Sequence, residues 1–124
     1  MISIFTKAYH GTYYPHSGNR VVRVWDVTDN KEPYTLKEST QWAWGQKSRS
    51  SKLRVGLDQA ALAYQLLKDA FGTKIADKLW MDFEENVIAN LPELKSWIIT
   101  KEDIAEMYAA EITLDQLSRI GGKQ

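Results

Sequence analysis

The sequence contains no cysteine, which excludes disulfides, thiolate nucleophiles and Cys-bound zinc together. It has only two histidines, His10 and His16, both in one short stretch. A zinc site there would need added carboxylates and an outer shell of hydrogen bonds, and solvated loop histidines are the plainer reading. No sign of charge is in excess, with 16 Lys+Arg against 16 Asp+Glu. Non-specific nucleic-acid binding usually brings a basic surplus, so nucleic acid is not the expected partner, although a local patch stays open. Near-zero charge weakens colloidal repulsion and permits self-association. No apolar run approaches the roughly 20 residues needed to span a bilayer, and Met1 to Lys7 lacks a signal-peptide core. The expectation is a soluble intracellular protein. Walker, dinucleotide-fingerprint and nucleophile-elbow patterns are absent too. The serines at 48, 50 and 51 have neither histidine near them in sequence. No catalytic set, cofactor or metal is therefore expected.

What is present is one domain's worth of chain, 124 residues with 44% apolar and 26% charged side chains. The pattern reads as α+β: an N-terminal antiparallel meander packed with two main helices, then short C-terminal helices. Residues 1–40 should form the hairpin or meander, 57–91 a helical hairpin, and 96–120 a strand with short helices. Within this, 2–9 and 21–27 read as strands, with 10–20 a Gly-, Pro- and Asn-rich loop between them. In the second strand Val22 and Val24 alternate with Arg23 and Trp25, so the two pairs stand on opposite faces. Residues 34–37 read as a third strand, and 38–56 as an irregular crossing segment.

Leu57 to Phe71 is apolar around most of its circumference, which predicts a helix buried at the centre or covered by a partner. Gly72 ends it, and Thr73 is placed to cap a helix over 74–90. On that helix Ala76, Leu79, Trp80, Phe83 and Val87 recur at core spacing, while Asp82, Glu84 and Glu85, with Lys74 and Lys78 upstream, read as a solvated, ion-paired face. Residues 96–99 return as a strand. Thr100 with Asp103 forms a capping pattern for a short helix to about Ala110, and Thr113 with Gln116 repeats that signal for a last helix ending at Gly121.

Five Trp, six Tyr and three Phe are the richest chemical signal. Tyr13, Tyr14, Arg20, Arg23 and Trp25 cluster around the first hairpin. Trp42, Trp44, Lys47, Arg49, Lys52 and Arg54 cluster in the crossing segment. Aromatic faces stack on bases and Arg forks grip phosphates, so these residues suit a nucleotide or a single strand. With equal weight, the Trp pair plugs the core and the basic residues are solvated. Ligand-binding candidates are Tyr13, Arg20, Arg23, Trp42, Trp44 and Arg49, with Phe83 and Asn90 secondary.

Trp42-Ala43-Trp44-Gly45, Gln59 to Leu67, Phe83, Val87 to Pro92, Trp97 to Thr100 and Asp103-Ile104 together resemble a small phage and bacterial family. In it, a sheet hairpin leads to a Trp-Gly segment, an Ala-rich helix and a second helix ending in Leu-Pro. Many members are Gly-rich after Trp-Gly. Here Gln46 to Ser51 stand in that place, so a function carried by those glycines does not transfer. The layout resembles the first type of Thoeris anti-defence protein, phage proteins that oligomerise and sequester cyclic ADP-ribose-type signals without cleaving them. Some also bind cyclic oligonucleotides. The resemblance implies a cyclic-nucleotide partner, a homo-oligomer, a host-cytoplasmic location and no turnover. That family's binding residues do not map one by one onto this chain. The alternatives are a phage inhibitor that binds a host protein complex, and a small single-strand-binding module using residues 47–54.

Overall fold

A computed structural model describes residues 6–27, 32–36, 42–46 and 53–121, the last span with side chains from 58 to 116. Four strands form one antiparallel sheet: β1 (Lys7–Tyr14), β2 (Asn19–Asp26), β3 (Tyr34–Thr35) and β4 (Trp97–Thr100), in the order β3-β2-β1-β4. The helices are α1 (Leu53–Phe71), α2 (Thr73–Asn86), α3 (Lys101–Met107) and α4 (Ala109–Gly121), with a 3-10 turn at Ile88–Asn90. The chain is the expected α+β protein, with the sheet on one side and the helices on the other.

The first hairpin is tighter than its composition implies. Residues 10–14 are strand, not loop, and only Pro15 to Gly18 turn the chain, closed by the Gly18 N–H donating to Tyr14 O at 2.8 Å. Gly11 reads as loop punctuation, yet its role lies in packing. It pairs with Trp97 across the β1–β4 ladder, and a Cβ on Gly11 would stand 2.2 Å from the Trp97 ring. A bare backbone at 11 is what lets the indole lie flat on the sheet.

β2 alternates as expected: Val22 and Val24 are fully buried, while Arg23 and Trp25 are exposed. The cross-strand register places Lys7, Tyr9, Gly11 and Tyr13 on the helix side with Asp26, Val24, Val22 and Arg20. Ala8, His10, Thr12 and Tyr14 share the other side with Trp25, Arg23, Val21 and Asn19.

α1 begins at Leu53, earlier than its apolar pattern predicts. Leu62, Leu66 and Leu67 on it are fully buried, each contributing about 2 kcal/mol of apolar transfer. They belong to a core that also takes Ile75, Ala76, Leu79 and Phe83 from α2 and Tyr9, Val22, Val24 and Ile99 from the sheet. Among the described side chains of this helix, every apolar one except Ala60 packs in or against the chain's own core.

Three further boundaries differ from expectation. Gly72, not Thr73, is the N-cap of α2, and it offers no side chain. The helix expected over 74–90 stops at Asn86 and tightens into the 3-10 turn. The last helix starts at Ala109, upstream of the Thr113 signal. The cap at Thr100 is as expected: its hydroxyl accepts from Asp103 N–H, and Asp103 accepts from Thr100 N–H, each at 3.0 Å.

The Gly11 contact generates a stability prediction. Gly11→Ala forces its methyl into an indole that is itself held against Trp44, so it should destabilise by about 2–3 kcal/mol. In a thermal melt followed by circular dichroism, Tm should fall by roughly 10 °C; an unchanged midpoint would show that the ring moves freely.

Candidate functional site

Residues 42–46 run through the interior without regular structure, and the contacts of Trp44 and Gly45 explain a motif. Trp44 is fully buried, edge-on to Trp97 with centroids 5.3 Å apart and planes at 86°. Its indole N–H donates to Pro92 O at 3.0 Å. Gly45 N–H donates to Ile88 O at 2.9 Å. Gly45 has φ +80°, and a Cβ there would meet Leu91 O and Glu93 Cα at 2.7 Å. Both the backbone conformation and the space demand glycine. The Trp-Gly and Leu-Pro motifs are therefore two halves of one contact.

Gln59, with no exposed surface, completes the strap. Its carbonyl accepts from Gln46 N–H at 2.8 Å, and its amide donates to Gln46 O at 3.0 Å and to Glu84 Oε2 at 3.2 Å. The amide thus pairs with Gln46 as a neighbouring strand would. Glu84 is 1% exposed, which corrects its reading as part of a solvated face. Asp82 and Glu85 are exposed as expected, and Asp82 accepts from the Tyr108 hydroxyl at 2.6 Å.

Arg20 seals the strap from the hairpin side. Its guanidinium lies 5.0 Å from the Tyr13 ring centroid and 5.2 Å from that of Trp44, and Nη2 donates to Glu93 O at 2.9 Å. Tyr13, Arg20 and Trp44 therefore do converge, as the sequence indicated, but on one another. Trp42 and Phe83 are buried in the same core. Asn90 is exposed, with its amide spent on Asn86 O at 2.9 Å. Arg23 stands on the opposite side of the sheet, and Arg49 lies outside the described residues.

A second polar centre joins the sheet to the end of α1. Asp69 accepts from Tyr9 OH at 2.7 Å, Tyr34 OH at 2.8 Å and Lys7 Nζ at 3.0 Å, and Lys7 also faces Asp26 at 3.7 Å. Three donors on one carboxylate make this a structural tie between the sheet and α1. Burial pushes the Tyr9 phenol far above the ordinary tyrosine range, and its bond to the Asp69 carboxylate pushes it further. Tyr108 is raised for the same reasons, burial first and then Asp82.

The remaining chemistry is on the open face of the sheet. Trp25 is 46% exposed and Ile98 64%. His10 sits directly between Arg23 on β2 and Ile98 on β4, and Ala8 lies beside Trp25. Arg23 and Trp25, two residues apart on one strand, project side by side at roughly 7 Å. The described strand positions on this face (Ala8, His10, Thr12, Tyr14, Asn19, Val21, Arg23, Trp25, Thr35, Ile98 and Thr100) include no carboxylate. An indole, a guanidinium and an imidazole are therefore presented together without an internal anionic partner on the strands. The sequence gives the parity of Arg23 and Trp25, but not the membership of His10, because residues 10–14 resemble a loop.

Among the described residues, no group of three or more His, Asp or Glu is placed to hold a metal ion, and no helix is long and apolar enough to cross a membrane. Residues 9–110 match a family of unknown function, DUF6166. The chain belongs to that family. Its matched span runs from β1 into α4 and includes both halves of the strap contact and His10, Arg23 and Trp25 of the open face. No curated protein and no solved structure matches the chain.

The raised tyrosines predict how the DUF6166 fold fails in alkali. A phenol whose folded pKa is raised contributes stability that is fully present below its unfolded value of about 10 and is lost as pH rises through the folded value. In an absorbance titration with parallel circular dichroism, Tyr9 and Tyr108 should ionise only as the chain unfolds, and Tyr9→Phe should remove one phenolate from that late step. Ionisation of all six tyrosines near pH 10 with the fold intact would contradict this.

Proposed function

We propose that this protein is a non-catalytic binding protein that holds a nucleotide-type ligand on the open face of its sheet. The observation that carries the reading is the juxtaposition of exposed Trp25 with Arg23 and His10 on a face whose described strand positions bear no carboxylate. An indole stacks on a base in a sequence-tolerant way, and a guanidinium beside it binds phosphate oxygens as a planar fork. His10, on the neighbouring strand, adds a further hydrogen-bond donor within cross-strand distance of Arg23. The conspicuous polar clusters on the helix side support the same reading, because Asp69 and Gln59 spend their hydrogen bonds on the fold and the Arg20 guanidinium is packed against Tyr13 and Trp44.

The specific form of this function is sequestration of a cyclic ADP-ribose-type signal, released intact. That form rests on the resemblance to Thoeris anti-defence proteins, and a host-cytoplasmic setting and self-assembly come with it. The pocket residues differ from the first expectation: Arg23 stays, while Trp25 and His10 replace Trp42, Trp44 and Phe83, whose rings are buried.

Isothermal titration of the chain with cyclic ADP-ribose and its isomers tests the proposal, with mass spectrometry of ligand recovered after denaturation. Saturable heat and an unaltered ligand are expected. Trp25→Ala should weaken binding by roughly ten-fold or more, from the loss of one stacked base, without lowering Tm. Absence of heat with every isomer, or a chemically changed ligand, would sink the reading. Binding that responds to single-stranded oligonucleotides alone would transfer the same face to nucleic acid.

A further inference from the structure

On the opposite side of β4 from β1 lies a groove of about 590 Å³. Val87, Leu91 and Met107 give it an apolar floor and wall, Ile98 lies along the strand side, and Asp103 and Glu106 supply its charge. β1 contributes nothing to it, and β4 is the outer strand of the sheet among the described residues. Thr100 N–H turns to the Asp103 carboxylate at 3.0 Å rather than to β1. Backbone groups alternate sides along a strand with a two-residue repeat, so the N–H and C=O of Ile98 face the groove side as well. Ile98 itself is 64% exposed and Met107 50%.

We infer that this edge and its groove form a second binding site, which takes an extended peptide of alternating apolar and basic residues by adding it as a fifth strand beside β4. The parts match the three requirements of strand addition. The Ile98 peptide groups offer main-chain pairing. The apolar lining receives every second side chain. Asp103 and Glu106, with no basic residue among the groove's lining, favour cationic side chains between them. The groove's lining holds two acids and no basic residue, so the same edge of a second copy brings it no complementary charge. The partner is therefore a basic segment of another protein. The edge adjoins the open face at Ile98, which stands beside His10, but it does not include Trp25 or Arg23; Trp25→Ala should therefore leave peptide binding unchanged, which separates the failure of one reading from the failure of the other.

Fluorescence anisotropy with the full chain tests it, using labelled ten-residue peptides of alternating valine and lysine or alternating valine and glutamate. The lysine peptide should bind saturably and the glutamate peptide at least ten-fold more weakly. N-methylation of alternate backbone nitrogens in the lysine peptide should cost at least ten-fold in one of the two registers. Glu106→Lys, at an exposed position, should keep the native circular dichroism and shift preference toward the glutamate peptide. Equal binding of the two peptides, binding by neither, or indifference to methylation in both registers would overturn the inference. So would sedimentation showing a dimer that Ile98→Lys dissociates, because the edge would then belong to a second copy.

Discussion

The paired hydrogen bonds between the Gln59 side chain and the backbone of Gln46 tie the irregular strap to α1. A segment that crosses a protein interior outside helix and sheet must still find partners for its peptide groups. Gln59 supplies them from α1, much as a neighbouring strand would, and Ile88 supplies the acceptor for Gly45. With the strap fixed there, Trp44 is placed between Trp97 of β4 and Arg20 of β2, and its N–H reaches Pro92. Sheet, strap and helical layer thus close on one another through side chains that are individually ordinary. Leaving either half-buried Gln46 peptide group unpaired would cost about 1 kcal/mol, the low end of the penalty for a buried group.

This arrangement divides the protein by the two faces of its sheet. On the helix side, aromatic and cationic groups satisfy each other: Arg20 with Tyr13, Trp44 and Glu93 O, and Asp69 with Lys7, Tyr9 and Tyr34. Side chains committed in this way have little left to offer a ligand. On the other side, Trp25, Arg23 and His10 project from strands whose backbone is rigidly paired. A stiff platform with unspent side chains suits recognition, because little ordering remains to be done on binding. The strap is in this sense the support that frees the opposite face.

How much of this was legible follows the range of the interactions. The alternation of Val22, Arg23, Val24 and Trp25 carries the faces of β2 in four residues, and the Thr100–Asp103 cap is equally local. The α+β layout follows from such signals. Gly11 and Pro15 together look like one long loop, because the reason for Gly11 is Trp97, on a strand far along the chain. Glu84 reads as one more acid on a charged helix until Gln59 of another helix is seen against it. The aromatic and arginine clustering was visible, but a one-residue step in strand parity decides whether an arginine meets the core or solvent. Arg20 and Arg23 fall on opposite sides of that step, so one candidate site became a structural clasp and a separate open face.

Native-state hydrogen exchange at the Gly45 and Gln46 amides tests the role of the strap most directly. The account predicts that both exchange only through global unfolding, with protection equal to that of the central β1–β2 amides, although they lie outside any helix or strand. Exchange at the rate of an unprotected loop, while β1 and β2 stay protected, would show that the strap is peripheral and that the sheet and helices hold together without it.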